Sequence, residues 1–433
     1  MIWLIDLMRL EVLGLVALVL CAALLCCIVF WAFWRQSELS RRSKAHQLFL
    51  LRDALSRRPE ASDFYAGQVA CAFNETTTCE EKFKKVLTVK PKFAVARRIH
   101  HILAAAALRE GRYQRALHEI DALLALDPKN TDANAARPLI EVLSHFPDQA
   151  VQAGAVGKVM VQMDDGRVPL LINGKRASYL FDSGANLSVL SESEAVRMGM
   201  EIQEFRSDEA SRDINGNKVP FRITVAKTLA LGGIQLSNVA FLVADNEQQP
   251  FADMHAGQRG LLGLPVLQAF GSVTWTRDGV FQADRSPVSA NLPDSNICFD
   301  DLNLITQARF EQHVLSFVLD TGAENSDLWP KFAKVARHVI RKSGNPGFRT
   351  VTGMGGAEKF EITSVPKVVL QLGGESVALQ PAHILKAPQK SDRKWFYGLL
   401  GIDVLRQAQR VTIDFRTMTL QLDSAERPWT ALR

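Results

Sequence analysis

Two short segments of the chain carry the same side chains: Phe181-Asp182-Ser183-Gly184-Ala185 and Leu319-Asp320-Thr321-Gly322-Ala323. In each, an apolar run leads into a carboxylate, a hydroxyl and a glycine. Each is followed by Leu-Leu-Gly, and the interval from Asp182 to Gly263 equals the interval from Asp320 to Gly401. A unit that presents one carboxylate, used twice, presents a pair. Two carboxylates in contact cannot both ionise cheaply, so one is pushed up and the pair shares a proton. The ionised member then deprotonates a water as it attacks an amide carbonyl, and the protonated member donates to the carbonyl oxygen. The chemistry expected of such a pair is peptide-bond hydrolysis without metal or organic cofactor.

The elements that must position the pair are short strands. Val159-Met160-Val161, Val168-Pro169-Leu170-Leu171-Ile172 and Ser178-Tyr179-Leu180-Phe181 read as β-type runs, and Asn173-Gly174 between two of them is a hairpin signal. The texture continues to residue 423, with helical interruptions near 191–199 and 330–342. The second copy overlays the first along its length. Val273-Thr274 precedes Val411-Thr412 by the same offset that separates Asp182 from Asp320. Gly232-Gly233 corresponds to Gly373-Gly374, and Asn215-Gly216-Asn217 corresponds to the glycine-rich Gly353-Met354-Gly355-Gly356. A register held this far marks one structural unit used twice. A lone Asp-Ser/Thr-Gly is a weak signal, since a strand ending in a turn produces it. Two copies, each with the following Ala and with Leu-Leu-Gly at one offset, are specific. The glycines let the backbone turn tightly, and the hydroxyls of Ser183 and Thr321 are placed to hydrogen-bond across to the opposite copy or to the backbone. Asp245 to Gln258 and Ala387 to Lys394 are expected to be mobile loops.

These motifs resemble the retropepsin-like aspartic peptidases, especially the bacterial ones, over residues 157–425. Leu261-Leu262-Gly263-Leu264-Pro265-Val266-Leu267 and Leu400-Gly401-Ile402-Asp403-Val404-Leu405 extend the likeness. The resemblance implies a mainly β, bilobal body of two fused lobes, spanning 155–288 and 294–425, with each lobe supplying one aspartate. By resemblance Asp182 and Asp320 are the catalytic dyad, Ser183 and Thr321 the supporting hydroxyls, and Gly184 and Gly322 the active-site turns. Gly216, Met354 and Gly355 would belong to flaps over an extended protein or peptide substrate. Neither flap carries the tyrosine expected of the pepsin group, so the dyad is the firmer expectation. Unequal loops in the two copies favour pairing within one chain and a monomeric catalytic unit. A non-catalytic module that holds a peptide in the same groove is the alternative.

The remaining third is different in kind. Residues 12–34 form an unbroken run without charge that ends in Trp31 and Trp34. That run is long enough to span a bilayer as a helix and longer than a cleaved leader's apolar region, so residues 1–34 are expected to be a retained membrane anchor. Arg35, Arg41, Arg42 and Lys44 follow the span, whereas only Arg9 precedes it. That charge bias favours a cytoplasmic body. The bacterial resemblance favours the periplasmic side of an inner membrane. Cys71 and Cys79 would support an oxidising compartment if bonded, and two free thiols are the other reading.

Residues 35–150 carry helical periodicity. Gly111, Tyr113, Ala116, Ile120 and Pro128 fall at the offsets of a tetratricopeptide helix pair, and Val89-Lys90-Pro91 marks a degenerate unit close to one repeat length upstream of the second proline turn. The segment reads either as a partner-binding surface or as a helical spacer. A net charge of +5, with 51 basic and 46 acidic residues scattered along the chain, shows no nucleic-acid footprint. The nine histidines include no His-Glu-x-x-His, and no Gly-x-Ser-x-Gly elbow is present. Cys298 is expected to be a buried structural thiol. Asn186, in a glycosylation sequon just past Asp182, argues against a eukaryotic secretory protein.

Overall fold

The computed structural model describes residues 38–57, 62–89, 91–152, 154, 157–205, 217–288, 295–387 and 394–424. The apolar run 12–34, Gly216 and nearly all of the expected loop 387–394 lie outside the described residues. Among the described residues, no helix is long and apolar enough to cross a membrane.

Two β lobes follow a helical segment. In the first lobe, Asn173 and Gly174 both take positive φ (48° and 76°). That turn suits a right-twisted two-residue hairpin, and it joins β3 (Val168–Ile172) to β4 (Lys175–Phe181). Before it come β1 (Ala150–Val151) and β2 (Lys158–Gln162). After it come β5 (Ser188–Ser191), the helix Glu192–Arg197, β6 (Arg222–Leu231), β7 (Ile234–Ala244), β8 (Gly260–Leu262), the helix Leu264–Ala269, β9 (Ser272–Thr276) and β10 (Val280–Asp284). The sheet runs β1-β7-β5-β8-β4-β3-β6, and β6 pairs back onto β7, so the first lobe closes into a barrel.

The second lobe repeats this order with β11 (Ile297–Asp300), β12 (Asn303–Phe310), β13 (His313–Leu319), β14 (Asp327–Leu328), β15 (Asn345–Gly353), β16 (Gly356–Val365), β17 (Val368–Leu372), β18 (Glu375–Leu379), β19 (Ala382–Leu385), β20 (Gly398–Leu400), β21 (Arg410–Asp414) and β22 (Thr419–Asp423). Where the first lobe has the one long hairpin β6–β7, the second has two short ladders, β16 with β19 and β17 with β18. Pro366 and Pro381 stand at the two breaks, and a residue without an N–H cannot continue a central ladder.

The lobes share a five-stranded sheet ordered β2-β10-β9-β21-β22. At its centre Thr274 pairs with Thr412, its twin at the repeat offset, and their hydroxyls are 2.9 Å apart. A residue bonded to its own twin marks the pseudo-twofold axis. Loop 245–258 is not the free loop expected from its polarity, because Phe251 within it is fully buried.

Among the described residues, the helices Leu48–Ser56, Asp63–Ala72, Thr76–Thr88, Phe93–Arg109, Tyr113–Leu126 and Thr131–Ser144 precede the body. Gly111 (φ 68°) makes the turn inside the expected helix pair, and Tyr113, Ala116 and Ile120 are buried as that pattern requires. Cys71 and Cys79 are bonded. They sit on consecutive helices with both sulfurs buried. Cys298 is a buried free thiol. Arg109 carries its guanidinium 4.2 Å over the Phe299 ring.

The helical segment is docked on the body. His46 Nδ1 lies 2.7 Å from Asp300 Oδ2, and His101 Nε2 lies 3.1 Å from Asp301 Oδ1. Burial pulls His46 down, but the hydrogen bond and charge of Asp300 outweigh it, and the net direction is up from 6.5. The Asp301 hydrogen bond raises His101 in the same way. Burial would raise Asp301, yet the histidine partners and Arg109 hold it below 3.8. Histidines raised in the folded state add stability that is complete below 6.5 and lost as pH climbs through their folded values. The lowered Asp301 adds stability that is lost as pH falls below 3.8. The wild type should therefore exceed the His46→Asn/His101→Asn double variant most between about pH 4 and 6.5. Each part-exposed pair contributes about 1 kcal/mol or less. Melting temperatures measured from pH 4 to 9 check this, and a gap that stays constant above pH 6.5 contradicts it.

Candidate active site

Each aspartate is held by the same local device. In the first lobe β8 lies between β4 and β5, parallel to β4 (Leu180 with Leu261, Phe181 with Leu262) and antiparallel to β5. In the second lobe β20 lies between β13 and β14 with the identical pairing at the repeat offset (Val318 with Leu399, Leu319 with Leu400). The Leu-Leu-Gly strand thus fixes the exit of the strand that bears the carboxylate. Asp182 N donates to Leu262 O at 2.9 Å, and Asp320 N donates to Leu400 O at 3.0 Å. The glycine that ends each Leu-Leu-Gly permits a close backbone approach. A Cβ on Gly263 would stand 2.4 Å from the Leu187 carbonyl carbon, and one on Gly401 would stand 2.5 Å from Ala323 O.

Across the axis the two turns are cross-linked by their hydroxyls. Ser183 N donates to Thr321 Oγ1 (2.9 Å) and Thr321 N donates to Ser183 Oγ (3.1 Å). Each hydroxyl then donates to a carbonyl of the other lobe: Ser183 Oγ to Leu319 O (3.0 Å), and Thr321 Oγ1 to Phe181 O (3.1 Å). Both side chains are buried. This net closes the two turns against each other and sets the distance between the aspartates.

The carboxyl groups of Asp182 and Asp320 face each other across the axis, each standing against the glycine of the opposite turn. Gly184 N donates to Asp182 Oδ1 at 2.8 Å, and Gly322 N to Asp320 Oδ1 at 3.0 Å. Burial, and then the charge of Asp320, hold Asp182 well above the usual carboxylate value, despite the stabilising amides of Gly184 and Ala185. Two acids so placed favour a state with one proton between them.

Gly184 and Gly322 act through space as well as through the turn. A Cβ on Gly322 would fall 2.3 Å from Asp182 Cγ, and one on Gly184 would fall 2.5 Å from Asp320 Cγ. Gly322→Ala should thus displace the Asp182 carboxyl while leaving the lobes folded. A shift near 1 Å at a reacting centre costs about a hundredfold, so any hydrolysis that depends on this pair should fall by roughly that factor in kcat/KM. Unchanged kcat/KM would show that the pair tolerates the displacement.

The pair opens into a cleft of about 1230 Å³. Its roof is the hairpin β15–β16, whose tip holds Met354 and Gly355. Gln248 Nε2 donates to Met354 O at 2.8 Å, and Met354 packs against an apolar cluster that includes Phe251 and Leu261. The tip of the second lobe thus crosses the cleft and seats on the first. Arg349 on β15 pairs with the buried Asp327 at 2.8 Å, which ties the roof strand to its own lobe. Gly216, the corresponding position in the first lobe, lies outside the described residues. Among the described residues no group of three or more His, Cys, Asp or Glu side chains is placed to hold a metal.

Two further hydroxyls support the site. Ser188 Oγ accepts from Gly263 N (3.0 Å) and Ser326 Oγ accepts from Gly401 N (2.9 Å). They too are twins at the repeat offset, and that offset is the signal that identifies them.

Residues 168–266 match a family described as aspartyl protease. Among solved structures, a retropepsin-like aspartic protease from Rickettsia conorii matches at 15% identity and a TM-score of 0.21, over 32% of this chain and 94% of that one. No curated protein matches the chain.

Proposed function

We propose that this chain, whose first lobe carries the aspartyl protease match, is an aspartic endopeptidase in which Asp182 and Asp320 form the catalytic dyad. What carries the reading is the placement of the two carboxyl groups, each against the glycine of the other lobe's turn, with Asp182 held high by burial and by its partner's charge. One proton on the pair lets one carboxylate act as base toward water while the other acid protonates the amide oxygen. When the amine leaves, the proton taken from water is available to it from the same pair. Ser183 and Thr321 act as positioning residues. The hairpin with Met354 and Gly355 at its tip serves as a flap: it lifts to admit an extended peptide and excludes water on closing. The substrate class is protein or peptide, and the enzyme works as a monomer because both halves of the dyad lie in one chain.

We further propose that residues 12–34 anchor the protein in a bacterial inner membrane with the body on the periplasmic side. The Cys71–Cys79 bond supports that side, against the positive charges that follow the span. A reporter fused after Arg433 tests the orientation.

The enzymatic reading is tested by incubating the full chain with an unfolded protein from pH 4 to 8, with a chelator present. New peptide termini from the wild type, and none from Asp182→Asn or Asp320→Asn, are expected. Saturable binding without products would make the groove a peptide-holding module instead.

A further inference from the structure

The two ends of the cleft are not alike, although the lobes that build it are twins. Arg277 and Arg406 line one end of the cavity. Their twins at the repeat offset, Phe415 and Gln268, do not line it. Phe415 is 1% exposed and its carbonyl accepts from Asn74 Nδ2 at 2.8 Å, while Gln268 Nε2 donates to Asn74 Oδ1 at 3.1 Å. Asn74 stands in the turn between two helices of the N-terminal segment. The helical segment therefore occupies the space that is open cleft on the other side of the axis. The lining differs in polarity as well: Leu187 and its twin Asn325 both face the cavity.

At the occupied end the helices themselves become cleft wall. Leu108 from the helix Phe93–Arg109 and Ala136, Leu139 and Ile140 from the helix Thr131–Ser144 line the cavity, together with Leu187 and Leu302 of the body. Ala136, Leu139, Ile140 and Leu143 follow the spacing of one apolar helix face. Leu139, Ile140 and Leu143 also share a core with Ile223 and Ala240 of the first lobe, so the wall is fixed to that lobe. Ala136 is the small, half-buried member of this face and lines the cavity among larger neighbours. Leu187, Asp182 and Asp320 line one cavity, so the apolar end opens onto the carboxyl pair.

We propose that the helical segment builds a specificity subsite of the cleft, which takes one large aliphatic or aromatic side chain of the substrate on the Leu187 side of the carboxyl pair. The inference rests on the peptidase reading above. It assigns the helices a role in substrate selection that neither a spacer nor a separate partner-binding surface would have.

The test uses the full chain. Cleavage sites of the wild type in a set of unfolded proteins are mapped by mass spectrometry, and one position near the scissile bond should be enriched in Leu, Met and Phe. Two peptides that differ only by Phe or Ala at that position are then compared. Ala136→Trp fills the space, and the ratio of kcat/KM for the Phe peptide to that for the Ala peptide should fall about tenfold or more, the scale on which apolar pockets discriminate. Should Ala136→Trp fail to fold, the smaller Ala136→Val is read in the same way, with a smaller fall. No enriched position, or a ratio unchanged in a folded variant, overturns the subsite while leaving the peptidase intact. A wild type that cleaves nothing removes both readings.

Discussion

On the proposed mechanism, Asp182→Asn should lower kcat for peptide hydrolysis by roughly 10²–10⁴-fold, the usual worth of a positioned acid–base group, and should raise the melting temperature above pH 4. The two effects share one cause. Burial and the neighbouring charge hold the Asp182 carboxyl well above 3.8 in the folded chain. A group raised on folding contributes stability that is complete below its unfolded value and lost as pH climbs through its folded value. The wild type therefore loses this contribution between pH 3.8 and the raised value, whereas a neutral amide does not titrate. The stability gap in favour of Asp182→Asn should widen over that interval and then stay level. Wild-type activity should fall over the upper part of the same interval, since a doubly ionised pair has no proton to donate. Scanning calorimetry and initial rates on one pH series check both halves. A variant that is inactive but no more stable at pH 7 than at pH 4, relative to wild type, would separate the carboxyl contact from the pKa argument.

Thr321→Val is the second change of large effect, and its cost falls on stability as well as rate. Valine matches the shape of threonine but leaves Ser183 N without its acceptor and Phe181 O without its donor. A buried polar group stripped of its partner costs about 1–3 kcal/mol, so the two together cost roughly 2–6 kcal/mol. Against a typical net stability of about 5–15 kcal/mol, that is a major loss. Thr321→Ser keeps both hydrogen bonds and removes one methyl group, at about 0.8 kcal/mol. Ser183→Ala should resemble Thr321→Val, and the double variant should cost less than the sum, because the two hydroxyls serve one net. Denaturant unfolding of the four variants decides the matter. Equal stability for Thr321→Val and Thr321→Ser would mean that the hydroxyl net is incidental to holding the turns together.

How much of this site the chain declares depends on the kind of contact. The aspartates, their hydroxyl neighbours and the Leu-Leu-Gly strands were legible because a duplicated unit repeats its chemistry at a fixed interval. Ser188 and Ser326 lie on that same interval, yet a lone serine has no chemistry of its own to attract notice. The hairpin tip at Met354 and Gly355 was legible from its glycines, but its partner Gln248 was not, since nothing local marks a side chain that bonds so far along the chain. Loop 245–258 reads as mobile because polar residues dominate it; one buried Phe251 overrules them. The helices of residues 35–150 were legible from their period. Their seat against the cleft was not, because an apolar helix face declares that it must be covered without declaring by what.

The sheet shared by the lobes has a consequence for the chain as a whole. Strand β9 finds its partner in β21, at the far end of the sequence. A ribosome therefore releases the first lobe with a bare strand edge long before the segment that covers it exists. Nascent molecules at that stage are open to pairing with one another.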